Sequence, residues 1–200
     1  MADLEREFPR FIYVPWRDDV AHTDRGDQVV AIAQALAAKT RIPLLGVAAT
    51  LNTLPDSWDG LPRQTLKSSN GSGGAKIEIH FWPSTETFSR MNPSRAAHAF
   101  VLEFGNWDLS GWARHNGAVH FDTKDLMRPA ISDEALDLYK RIEWNGNNSW
   151  FDSPGKRDAL HDLRRLRELD ELDLVDLTGY MVGKRSASAI QQLAKLAAKI

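Results

Sequence analysis

Apolar positions change their period along the chain, and the changes mark its elements. Phe11 to Trp16 (FIYVPW) is a short β-rich run closed by a proline, which predicts a first strand. After a polar loop, Val29, Val30, Ile32, Ala33, Leu36 and Ala37 recur at helical spacing. Asp24 or Asp27 can cap that helix, and the Arg41–Pro43 stretch stops it. Pro43 to Ala49 (PLLGVAA) is almost continuously apolar, as a strand buried on both faces should be. Strand, helix and buried strand in this order predict a βαβ unit with parallel pairing and a right-handed crossover.

Leu51 to Ala75 is rich in Pro, Gly, Ser and Asn, which predicts a long excursion rather than a regular element. Strands are then expected at Lys76–Trp82, Ala97–Phe104 and Gly117–Phe121, with a further one at Trp107–Ala113. The sheet is expected to be mixed, with parallel strands first and antiparallel ones later. The last third reads as helical. Ser132 caps a stripe of Leu136, Tyr139 and Ile142. Pro154 opens a helix with Leu160, Leu163, Leu166 and Leu169. Ser186 or Ser188 caps a final one with Ile190, Leu193, Ala194 and Ala197. Asp170–Leu177 fits either a helix or a short strand. The expected class is α/β, or α+β: a mixed sheet seeded by the N-terminal βαβ unit, with flanking helices. Residues 1–150 form the sheet domain, and residues 151–200 a helical segment packed on it as one unit.

Composition narrows the function classes. The 200 residues carry 25 basic and 27 acidic side chains and no cysteine. That excludes thiol catalysis, disulfide frameworks and cysteine-ligated zinc, and it suits a cytoplasmic location. The opening MADLEREFPRF is charged and no apolar run approaches the length of a membrane span, so a soluble protein without a membrane partner is expected. A net charge of −2 gives no general affinity for phosphate backbones, although a local basic face remains compatible with it.

The stretch His98–Lys124 holds the only catalytic arrangement that can be drawn. Asp108 lies near one strand end, and Asp122, Thr123 and Lys124 follow the next. This layout resembles the metal-dependent nucleases of the PD-(D/E)XK type. The resemblance covers about twenty residues and lacks the proline before the first acid. It implies Asp108 and Asp122 as Mg²⁺ ligands, Lys124 orienting water or supporting phosphate charge, and Glu103 as an auxiliary ligand. His80 and His120 on strands are further potential metal ligands, though no compact histidine pair on a helix accompanies them.

Three other segments offer binding chemistry. Lys67–Lys76 (KSSNGSGGAK) presents glycines between lysines, but not in phosphate-loop order and not before a helix. In the turn Trp144–Phe151, Trp144, Asn145, Asn147, Asn148 and Trp150, with Lys156 just beyond, could stack on and hydrogen-bond a ligand; equally, the aromatics could tuck under the C-terminal helices. Lys184, Arg185, Lys195 and Lys199 make the C-terminus basic, but about fifteen residues separate its last two stripes, too many for a helix-turn-helix. The expected function is a non-catalytic binding or regulatory protein without a cofactor, for a nucleotide, nucleic acid or protein partner. The alternative is the Mg²⁺-dependent nuclease.

Overall fold

The computed structural model of the chain describes residues 8–67, 75–91, 93, 96–105, 107–151 and 153–200. The glycine-rich stretch at 68–74 therefore lies outside the described residues. The N-terminal part runs β1 (Phe11–Val14), α1 (His22–Thr40), β2 (Leu44–Ala48), β3 (Arg63–Thr65), β4 (Ile77–Phe81), α2 (Thr85–Arg90), β5 (His98–Leu102), α3 (Ser110–His115) and β6 (Val119–His120). Four helices follow: α4 (Asp133–Asn145), α5 (Ser153–Glu168), α6 (Leu174–Met181) and α7 (Ala187–Ala197). The class is α/β. Among the described residues no helix is long and apolar enough to cross a membrane.

The six strands form one sheet in the order β3-β2-β4-β5-β1-β6, and every neighbouring pair is parallel. This departs from the expected antiparallel later strands. The reason lies at Trp107–Ala113, expected as a strand. Leu109, Trp112 and Ala113 are buried at helical spacing on and before α3. A helix between β5 and β6 returns the chain to the starting edge and so permits parallel pairing. Among the described residues, antiparallel geometry survives only locally, in an isolated bridge between Val119 and Leu126. β1 and β2 are parallel as expected but not adjacent, because β4 and β5 insert between them.

Alternation along the strands divides the core into two layers. Ile12, Val14, Ile77, Ile79, Phe81, Phe100 and Leu102 face α1, where they meet Val29, Val30, Ala33 and Leu36. Phe11, Tyr13, Ala99 and Val101 face the other way, toward Trp112 of α3 and the helices that follow. That second layer also contains Leu138, Tyr139, Ile142, Leu163, Leu166, Leu177, Ile190, Leu193 and Leu196, so the C-terminal helices share their core with the sheet. The ambiguous Asp170–Leu177 segment resolves into α6, capped by Asp173, whose carboxylate accepts from the Val175 and Asp176 N–H groups.

Within the expected excursion after β2, Leu51–Thr53 and Asp56–Trp58 form 3-10 turns and Arg63–Thr65 forms β3. Trp58, 1% exposed, is the anchor of this excursion. Its indole lies over Gly46 of β2, where an added Cβ would fall 2.5 Å from Nε1, and its N–H donates to the Pro62 carbonyl at 3.1 Å. Only glycine at position 46 admits this ring.

Candidate functional site

Six parallel strands bring all their C-terminal ends to one edge, and the sequence places an aromatic residue just past four of them. Trp16 follows β1, Trp82 follows β4, Phe104 follows β5 and Phe121 follows β6. The chain leaving β1 enters α1 on one face of the sheet, whereas the chain leaving β5 enters α3 on the other. β1 and β5 are neighbours, so their departing chains diverge and open a crevice between them. In open parallel sheets ligands bind outside the strand ends at such a point.

Glu103 ties the crevice together. One carboxylate oxygen accepts the Trp16 backbone N–H at 3.0 Å, the other accepts the Leu109 N–H at 2.8 Å, and the Tyr13 hydroxyl also bonds to it. Burial, reinforced by this carboxylate, pushes the Tyr13 phenol far above its ordinary value. Trp16 is oriented a second time through its indole N–H, which donates to Asp18 at 2.8 Å. Its ring then packs edge-on against Phe104, with centroids 4.7 Å apart.

Beside this pair lies a cleft of about 420 Å³, lined by His22, Thr23 and Asp27 of α1, by the Asn52–Asp56 segment, and by Trp82 and Phe104. The His22 ring stands 5.1 Å from Trp82 and 5.7 Å from Phe104, nearly perpendicular to both. Phe104 is 40% exposed. Trp82 adopts φ +47°, a left-handed conformation that costs a bulky side chain about 1–3 kcal/mol and accumulates at ligand sites. Gly26 of α1 lies beside its indole, where an added Cβ would be in ordinary contact at 3.4 Å. α1 itself starts at His22, earlier than an Asp24 or Asp27 cap would allow. Its N-cap is Ala21, without a side-chain cap bond, and Asp24 instead complements the first turn.

The two carboxylates of the cleft are solvent-exposed, as are Asp24 and Asp59 beside them. Asp27 and Asp56 have no Lys or Arg partner among the described residues, whereas both neighbouring arginines are occupied. Arg17 Nε donates to Asp19 at 2.8 Å. Arg25, 8% exposed, grips Asp122 with both terminal nitrogens, at 2.7 and 2.6 Å. Those hydrogen bonds hold the Asp122 carboxyl below the usual aspartate range.

Apart from Glu103, the residues singled out from sequence fall elsewhere. Asp122 is the partner of Arg25. Lys124, at φ +64°, donates to the Phe121 carbonyl and places its ammonium 4.4 Å from the centre of that ring. Asp108 accepts from the Ser110 N–H at 2.8 Å and so serves the start of α3. β1 separates β5 from β6, so the strands preceding the two acids are about 10 Å apart rather than adjacent. His80 is buried against Glu78 and the Phe88 ring. His120 faces Tyr13. No group of three His, Asp or Glu side chains among the described residues is placed to hold a metal ion.

The Trp144–Phe151 turn divides. Trp150 is fully buried, donates to the Ile142 carbonyl at 3.0 Å and lies against Gly146. Trp144 is 74% exposed. Asn145 ends α4, Asn147 accepts from Arg185 at 3.4 Å, and Asn148 and Lys156 are exposed. These side chains do not enter the cleft lining.

The cleft residues were missed because each is unremarkable in sequence. The recoverable signal was the aromatic residue just beyond strand after strand, which acquires meaning only once the sheet is known to be parallel. Compared with protein-family models, curated proteins and solved structures, the chain matches none of them, so its likeness to other proteins assigns no family and the site must be read from its own geometry.

Proposed function

We propose that the protein is a non-catalytic binding protein that takes a small planar ligand of nucleobase type in the cleft at the C-terminal edge of its sheet. One observation carries this reading: the rings of His22, Trp82 and Phe104 meet around an open cleft of about 420 Å³ beside the divergence of β1 and β5. A volume in the range of roughly 300–1,000 Å³ suits a single small molecule. Aromatic walls favour a flat, polarisable partner through stacking. The non-catalytic part rests on the use already made of the reactive groups. Glu103 accepts from two backbone N–H groups and a phenol, Asp122 is paired with Arg25, and Asp108 accepts from the start of a helix.

Ligand-observed NMR with adenine, nicotinamide and a saturated control such as cyclohexanol tests the proposal. The planar rings should receive saturation from the wild-type protein and cyclohexanol should not. Phe104→Ala and Trp82→Ala should each weaken the effect by about tenfold. Absence of any signal from planar rings overturns the reading.

A further inference from the structure

We infer that the cleft selects its ligand by charge and prefers a planar organic cation. This deepens the proposed function and rests on it. The described lining residues include Asp27 and Asp56 but no lysine or arginine. The two arginines nearby do not compensate, because Arg17 is held by Asp19 and Arg25 by Asp122. Both carboxylates are exposed, so a guest would meet two hydrated carboxylates with no basic side chain in the described lining.

The rings act in the same direction. Aromatic faces carry partial negative charge, and a cation over a tryptophan or phenylalanine face is attracted electrostatically. Trp16 packs against Phe104, and Phe81 and His22 pack against Trp82, so both rings are braced before a ligand arrives. The first turn of α1 could in principle attract an anion, but Asp24 and Asp27 on that helix oppose one. A small metal ion is a poor alternative, since no group of three His, Asp or Glu side chains among the described residues is placed to hold one. A delocalised cation sheds its weakly held water easily and gains from carboxylates and rings together.

Three probes share one ring and differ in charge: the N-methylnicotinamide cation, neutral nicotinamide and the nicotinate anion. Calorimetric titration at about pH 8 should rank them cation, neutral, anion. The two extremes should differ by at least about tenfold. The Asp27→Asn/Asp56→Asn variant should lose this order, with circular dichroism confirming that it is folded. Binding of all three probes with equal affinity, or with the anion preferred, overturns the charge selection and leaves the planar-ligand reading standing. An order that persists in the double variant also overturns it. Failure of all three to bind the wild type overturns the planar-ligand reading itself.

Discussion

The contact between α3 and α6 and the cleft at the strand ends show opposite ways of using side chains. At the first, two backbones touch. A Cβ on Gly111 would lie 1.9 Å from the Val175 carbonyl oxygen, and one on Gly179 would lie 2.2 Å from the Trp112 nitrogen. Charge there is matched as closely as shape: Asp176, 4% exposed, takes the Arg114 Nε at 2.6 Å. At the cleft the rings are half exposed, one sits in a costly backbone conformation, and two carboxylates stand without a basic partner. Folding gains less there, because the rings are incompletely buried and closing the cleft would desolvate two carboxylates that have no basic partner in its lining. The contrast separates residues that hold the molecule together from residues left available to something else.

The largest effect should come from filling the helix contact. Gly111→Val or Gly179→Ala would push backbone against backbone and destabilise the fold by about 3 kcal/mol, seen as a lowered midpoint in urea or thermal unfolding. An unchanged midpoint would mean that the helices are not in close contact.

Next is the Arg25–Asp122 pair beside the cleft, which belongs to the structural class. Removing Asp122 leaves a buried guanidinium unmatched, so Asp122→Ala should cost on the order of 3 kcal/mol. It should not abolish any Mg²⁺-dependent activity, and loss of DNA cleavage in this variant would favour the nuclease alternative instead. The pair also predicts acid sensitivity. Asp122 is more acidic folded than unfolded, so its stabilisation is complete above the ordinary aspartate value of about 3.9 and is lost as pH falls through the lower folded value. His115 adds a milder slope at higher pH. Burial lowers its folded value, so the unfolded chain takes up the proton first and stability declines as pH falls below about 6.5. His115→Phe should flatten the unfolding profile in that window while leaving the acid limb in place.

The smallest effect on stability should come from the cleft itself. Phe104→Ala removes a ring that is 40% exposed, and its unfolding free energy should change by no more than about 1 kcal/mol while planar-ligand binding falls. A large loss of stability would place Phe104 with the structural residues and remove the distinction drawn above.

Much of the fold was legible along the chain because local patterns carried it. The stripe from Val29 to Ala37, the continuous run at Pro43–Ala49, and the caps Ser132 and Ser186 each appear where their spacing and chemistry require. Trp107–Ala113 was misread because its aromatic and glycine residues resemble a strand and a turn, and its helical stripe has only three members. The site was not legible. Asp122 and Lys124 drew attention through a sequence pattern, whereas Arg25, 97 positions away, determines what Asp122 does.

By itself, then, the sequence determined the class of fold and the placement of most helices and strands, since burial period and capping act over a few residues. The tertiary structure decided strand order, direction and the site. Parallel pairing collects residues such as Trp16, Trp82 and Phe104 from distant strand ends onto one edge, and that convergence depends on which strands become neighbours. It also settles which carboxylates find an arginine and which remain open, a matter of distance in space that no spacing along the chain encodes.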